Sequence, residues 1–584
     1  MVDQELVLRV LKSQRQGLEN QRPNRDVSHA GRRKPFRPYG LFLLITYRQR
    51  RIKCDESRPH CQRCRSFGVI CDGFTPKSGG TAAPMSERRV FAHLRPKPQL
   101  QLPRCAISAV RFENEQELRF FRLFQQETAS KIQIAGPLKS SLWGRLVPQT
   151  SESKPFVRHA MIAIAAMSKF SRDARNLQLL GQDGGQNESL NWERQYALKH
   201  YGKALKGIRD ASAHGEHDLR TSLIACLLVF CFEVLQGSER HARSLALSGL
   251  SLFHQWDSKR NMKSTAQYRS LLMLDVELLS AFVSLDIQVL FFPDDRPLSM
   301  HQQIIDATTE TLKTMPSKFA RLEEANCFWQ VIIRRGLHVK AKAESYRLAA
   351  ELRSGPGSLP QSADLPTGHL RFSQLKQYSP EIERECQICI TDIYKWTKAA
   401  SEVFGHVTRT DHNWTVIAAL LQIHAKATLI VLAGMTFTDE TSFDVFLPDF
   451  RAITNLAVSI HPQLVESSKK SGIHHVDLGI IPALYLVGAR CRDKIVRARA
   501  IDLLYSTPYR EGIWDSIAVA KVSSWLRSIE VAAGGAEDHI PGCNRVVSAS
   551  TNLDLFNRTA KVYCTQRNGP ADTDLVSHDA FLSW

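Results

Sequence analysis

From about residue 113 to 533, apolar positions recur every three to four residues in long segments separated by polar or Gly/Pro punctuation, which is the period of amphipathic α-helices. The clearest segments are 155–170, 217–236, 240–256, 266–291, 379–404, 412–434 and 515–532. Two stretches, 222–235 and 416–433, are apolar nearly all round and are expected at the centre of a helical core. The loops 181–188 and 354–368 interrupt the array, and the second, with Pro356, Pro360 and Pro366, is expected to divide the helical region into two lobes. Near the end the period changes. Val546-Val547-Ser548 and then 555–564 alternate apolar and polar residues around an Asn-rich turn, which predicts a small β-hairpin packed on the helices.

Ahead of the helical region the pattern is different. A short helix-like run, 5–12, gives way to polar sequence with Arg32, Arg33, Lys34 and Arg37. The chain therefore divides into a disordered basic N-terminus (1–40), a compact Cys/Arg module (41–75), a linker with no heptad (76–112), an all-helical domain (113–566) and a tail (567–584). The expected fold class is mainly α, with a small N-terminal module, a linker, and a large all-α domain carrying a small β-hairpin near its C-terminal end.

Composition changes this picture only locally. A hydrophobic content of 43% and a charged content of 23% are ordinary for a soluble globular chain. The net charge of +19 is concentrated in residues 1–100, where 21 Lys+Arg stand against 8 Asp+Glu and supply +13 of it. A localised positive segment favours polyanions, because neutralising phosphates releases counterions. The apolar run 41–46 is far too short to span a bilayer and no stretch approaches the 18 or so apolar residues required, so no membrane partner is expected. Thirteen cysteines without a secretory signal imply a reducing compartment, where closely spaced cysteines serve as metal ligands and scattered ones as small buried apolar residues.

Four of those cysteines, Cys54, Cys61, Cys64 and Cys71, follow the spacing C-x6-C-x2-C-x6-C, immediately after Arg48-Gln49-Arg50-Arg51-Ile52-Lys53. Four thiolates so close suit zinc, which takes sulfur at tetrahedral geometry and supplies the folding energy that so small a module lacks. The string from Arg48 through Cys64 to Cys71-Asp72-Gly73 resembles the fungal binuclear zinc-cluster DNA-binding domain. In that family six cysteines hold two zinc ions and present a short basic helix to the major groove. The family's first two cysteines are missing, and Leu44 and Tyr47 stand at their positions. By this resemblance the metal ligands are Cys54, Cys61, Cys64 and Cys71. Arg50 and Arg51 reach base edges of a GC-rich triplet, while Arg48 and Lys53 contact the phosphate backbone. The chemistry agrees, since an arginine offers bidentate donors to guanine and phosphate contacts position without specifying. The resemblance also implies double-stranded DNA and the RNA polymerase II transcription machinery as partners, a nuclear location and compatibility with a homodimer. Either the module binds at most one zinc with a substitute ligand such as water, His60 or a rearranged Cys54, or, as the favoured hypothesis, residues 41–48 are the translated end of a retained intron, a pyrimidine-rich run closing on a splice acceptor, after which the resemblance resumes at Arg48.

Downstream, Leu142-Trp143-Gly144-Arg145-Leu146-Val147, Val157-Arg158-His159-Ala160, Tyr201-Gly202-Lys203-Ala204-Leu205, 226–235, Trp514-Asp515-Ser516-Ile517 and 554–564 resemble in their order the regulatory region that follows fungal zinc clusters. No phosphate loop, nucleophile elbow or paired-histidine metal helix is present in the sequence, which speaks against an enzyme. Cys386-x2-Cys389, His159 and His474-His475 are expected to be packing or surface residues. Two readings stay open beside a DNA-binding regulator: a helical interaction protein that has lost zinc and DNA binding together with its first two cysteines, and, last, an enzyme.

Overall fold

The computed structural model describes residues 112–130, 132, 142–179, 188–214, 218–260, 272–294, 296–353, 370–373, 378–407, 412–471, 477–533, 540–567 and 575–584. Helix α1 (Glu115–Leu123) runs into a π-helical turn, Phe124–Thr128, and a second π turn, Leu142–Leu146, leads into α2 (Val147–Ser153). The long helices α3 (Pro155–Leu179), α4 (Glu188–Ala213), α5 (Leu219–Gln236), α6 (Glu239–Arg260), α7 (Leu272–Val289), α8 (Leu298–Leu312) and α9 (Leu322–Arg353) follow. After strand β1 (Leu370–Ser373) come α10 (Pro380–Val407), α11 (His412–Gly434), α12 (Leu447–Ser471), α13 (Ile481–Arg490) and α14 (Lys494–Ser506). A short hairpin of β2 (Arg510–Glu511) and β3 (Trp514–Asp515) precedes α15 (Ser516–Ala532), and β4 (Val546–Asp554), β5 (Thr559–Arg567) and β6 (Leu575–Ser583) follow it.

Asn and Asp residues start these helices by accepting from amides that have no partner inside the helix. Asn114 accepts from the Glu117 amide at 3.0 Å, Asp218 from Thr221 at 2.9 Å, Asp493 from Val496 at 2.9 Å and Asp515 from Ala518 at 3.0 Å. Helix α5 stops at Gly237, whose φ of +86° lets its own amide and that of Ser238 both donate to the Glu233 carbonyl at 3.0 Å. A Cβ at Gly237 would lie 3.1–3.3 Å from the backbone of Leu555 and Phe556, so the β4–β5 turn approaches the helix end closely there.

The buried apolar residues form two cores. The first gathers Phe124, Trp143, Ile162, Phe232, Phe282, Ile453, Leu484 and Val519 with the inner face of the sheet. The second is built around Trp329 and Trp396. Helix α11 lies between them, giving Val416, Leu420 and Ile423 to the first and Ile417, Leu421 and Leu432 to the second, which is why its sequence is apolar all round. The expected division at the Pro-rich stretch does not hold. Helices α9 and α10 flank that stretch, yet Trp329 and Trp396 meet in one core with ring centroids 5.0 Å apart.

A second expectation also needs correction: α5 and the Trp414–Gly434 part of α11 are by length and composition apolar enough to cross a bilayer. In the fold 72% and 61% of these spans are buried against other elements, the burial that an all-round apolar helix requires.

The expected hairpin is present as β4 and β5, paired from Val546↔Gln566 to Asp554↔Thr559 with a register shift between Val546 and Ser548. It is the centre of a larger antiparallel sheet in the order β1-β4-β5-β6. Residues 575–583, expected only as a tail, form its last strand. On the inner face Ala549, Leu553, Ala560 and Val562 are buried beside Ala518, Val522 and Leu526 of α15.

Candidate functional site

Cys54, Cys61, Cys64 and Cys71, the expected zinc ligands, and Arg48, Arg50, Arg51 and Lys53, the expected DNA contacts, lie outside the described residues, as do His474 and His475. Among the described residues, a polar group is built at the junction of α1, α3 and α4.

There the α1 cap meets a histidine pair, His200 buried and His159 half-buried. Glu117 reaches back so that one carboxylate oxygen accepts from the Glu113 amide at 2.9 Å, and it is 1% exposed. Its other oxygen, Oε1, has no hydrogen-bond partner and faces His200 Nε2 and Lys203 Nζ, each at 3.7 Å. His200 Nδ1 stands 3.2 Å from His159 Nδ1, and the Tyr196 ring lies tilted by 39° against the His200 ring with centroids 4.6 Å apart. Burial pushes His200 down to about 4 and lowers His159 as well, so both imidazoles are neutral near pH 7 and one Nδ1–H donates to the other ring.

Glu117, His159 and His200 each place a donor atom within 4.8 Å of the others, a set that could attract a divalent metal. The arrangement argues for a polar chain instead. His200 turns one ring nitrogen to His159 and the other toward Glu117, so the donors lie in a row, and the Lys203 ammonium already faces the carboxylate. His159 is thus a half-buried histidine with a partner in His200, in keeping with the packing or surface role expected for it.

Beside this junction, Leu118, Arg119, Arg122 and Leu123 of α1 line an open groove with Lys169 and Arg172 of α3. Its positive charge is partly neutralised in place. Lys169 pairs with Asp173 at 2.7 Å and with Glu193, and Arg172 pairs with Asp173 at 3.2 Å and Glu127 at 3.4 Å.

Two further charged groups are buried among the helices. Asp286 accepts from Arg296 at 2.7 Å, Arg334 at 2.7 Å and His338 at 3.1 Å, and the neighbouring arginines and histidine hold its carboxyl well below the usual range despite burial. Glu530 accepts from Arg492 and Arg497 at 2.6 Å each and from the Val546 amide at 2.8 Å, and its pKa falls to about 2 through those two arginines against the opposing effect of burial. Sequence reasoning missed both. Their partners are tens of residues apart, and only Arg492 and Arg497, in a run otherwise read as helix, gave any local sign. Asp286 and Glu530 are both fully buried, a place that suits securing the fold. Burial raises Cys386 and Cys389 to about 12, away from the thiolate that nucleophilic or metal chemistry needs, in keeping with packing.

The profile of the Fungal Zn(2)-Cys(6) binuclear cluster domain matches residues 48–81, and that of the Fungal specific transcription factor domain matches residues 119–290. The chain is 24% identical over 564 residues to the Aspercryptin biosynthesis cluster-specific transcription regulator atnN of Emericella nidulans, an alignment covering 84% of this chain and 88% of that protein. It is 22% identical over 242 residues to the Transcription regulator lscL of Purpureocillium lilacinum, covering 41% of this chain and 55% of the relative. It is also 32% identical over 133 residues to the Zn(2)-C6 fungal-type transcription factor afumD of Aspergillus fumigatus, covering 22% of this chain and 33% of the relative. No solved structure matches the chain. A cysteine-rich segment and a helical domain thus match, in this order, two domain families of fungal transcription factors, and a fungal transcription regulator aligns with this chain through most of both lengths.

Proposed function

We propose that this chain is a zinc-dependent, sequence-specific DNA-binding regulator that works in the nucleus on the transcription machinery, and that it is not an enzyme. The observation that carries the reading is the run Arg48-Gln49-Arg50-Arg51-Ile52-Lys53 set directly against Cys54, inside the segment that matches the zinc-cluster domain. Arg50 and Arg51 read guanines of a GC-rich triplet from the major groove, and Arg48 and Lys53 hold the backbone. Zinc supplies the cross-link that lets so short a segment fold. Cys54, Cys61, Cys64 and Cys71 are the chain's own ligands for it. The matched segment begins at Arg48, after Leu44 and Tyr47, and neither of those side chains can replace a thiolate.

Leu44 and Tyr47 also favour a second reading, a helical regulator that has lost zinc and DNA binding. Zinc content and duplex binding of the full chain, compared with a variant carrying Leu44→Cys and Tyr47→Cys, separate the two. The first reading expects the full chain itself to hold zinc and to prefer GC-rich triplets over random duplex, with the variant bringing the cluster to two zinc ions. A full chain that shows neither zinc nor sequence preference, whether or not the variant gains them, would sink it.

A further inference from the structure

We infer that β6 is a self-association edge, and that a second copy of this chain pairs with it antiparallel about a twofold axis at His578. β6 ends the sheet, paired with β5 on one side from Thr559↔Ser583 to Arg567↔Leu575. Among the described residues, no backbone hydrogen bond reaches its other side. The opposite edge of the sheet is the four-residue β1, whereas β6 offers nine residues without Lys, Arg or Pro, the devices that ordinarily protect an edge. The strand also exposes Leu575, Val576 and Phe581, the last at 64%. Ala580 and Leu582 meanwhile lean on the core.

The sequence of the strand selects the partner and the register. When two copies of one strand pair antiparallel about an axis normal to the sheet, side chains of one parity stay on one face, so each register is centred on a residue facing itself. Centred on His578, Leu575 faces Phe581 twice, Val576 faces Ala580 twice, and the Ser577 hydroxyl can donate to the facing Asp579 carboxylate twice. Centred on Asp579, two carboxylates stand opposite each other, which is destabilising. Centred on Ser577 or Ala580, Asp579 faces Leu575 or Phe581 respectively. Only the His578 register joins the two exposed apolar side chains of the outer face while keeping the carboxylates apart. A junction of one strand pair is small, so the dimer should be weak, with a Kd on the order of micromolar.

Sedimentation of the zinc-loaded full chain over a micromolar concentration series tests this without DNA, and so independently of the DNA-reading proposal. The wild type should move from monomer to dimer. Leu575→Lys and Phe581→Glu should each weaken self-association about tenfold, because each puts a charge against an apolar side chain. The double variant L575K/F581E should recover to within about threefold of wild type, since the two new charges face each other across the axis only in this register. Ser577→Lys, opposite Asp579, should tighten the dimer, and Ser577→Asp should loosen it. All of these side chains point away from the core, and circular dichroism will confirm that each variant is folded. A wild type that stays monomeric, or a double variant no better than its single parents, overturns the inference.

Discussion

At the scale of single residues, Glu511 shows how the fold uses a charge that sequence reading passes over. Its carboxylate accepts from the Ile480 amide at 2.9 Å and the Ile481 amide at 2.8 Å, capping α13 from a different part of the chain. Gly479 makes room for it: a Cβ at that position would lie 2.2 Å from Glu511 Oε1. Burial outweighs these amide bonds and raises Glu511 to about 7. Between its ordinary value of 4.5 and this raised one the folded state takes up a proton. The contribution is therefore fully present below about pH 4.5 and is lost as pH rises through about 7, a change of ~3 kcal/mol. Glu511→Gln, which mimics the protonated form, should flatten the fall in stability between those pH values, as urea unfolding at a series of pH values will show. An unchanged pH profile would mean that Glu511 does not titrate in this window. Gly479→Ala should destabilise at every pH, because the added methyl can be accommodated only by driving the carboxylate out of its cradle.

At the scale of elements, the seam between the C-terminal helices and the sheet depends on Glu530. This one side chain on α15 joins Arg492, Arg497 at the start of α14 and the first residues of β4. Glu530→Gln leaves two buried guanidinium groups short of a counter-charge and should cost roughly 3–5 kcal/mol. The loss should appear in calorimetry, with hydrogen exchange rising first along β4 and β5. An effect near zero would show that the arginines are neutralised elsewhere, with Glu440, which faces both Arg490 and Arg492, the first alternative.

How far the elements could be read from sequence follows from the same physics. Helices α3, α5, α6, α7, α10, α11 and α15 were visible because each buries a continuous apolar face. β4 and β5 were visible because one face is buried and the other is not, which yields alternation. β1 is too short to carry a pattern. β6 buries neither face fully, so Leu575 to Ser583 reads as mixed tail sequence. The Glu117–His159–His200 chain and the Asp286 group were hidden because residues far apart in sequence have no spacing to recognise. The residues proposed for zinc and DNA stand out in the sequence for the opposite reason: the chemistry proposed for them is confined to one short run, 48–71.

At the scale of the whole molecule, stability and DNA binding should answer to different ligands. Two apolar cores and buried ion pairs hold the helical region together, and none of these interactions calls on a metal. The proposed zinc module, Cys54 to Cys71, is by contrast too short a run of sequence for a core of its own, and on the proposed reading zinc supplies its folding energy. A strong chelator should therefore abolish specific DNA binding while leaving the main calorimetric transition within about 2 °C of its starting point, a shift equivalent to about 2 kcal/mol for a domain of this size. Arg50→Ala should mimic part of this loss by relaxing preference for the GC-rich triplet by ~1–3 kcal/mol, whereas Arg48→Ala should weaken all duplexes alike and reduce the salt dependence. If the chelator lowers the main transition by many degrees, a metal is bound in the helical region, and among the described residues Glu117, His159 and His200 form the group that could hold it. The His200→Gln variant, already lacking that ligand, would then no longer respond to the chelator in calorimetry, while its specific DNA binding would remain as sensitive to chelation as that of the wild type.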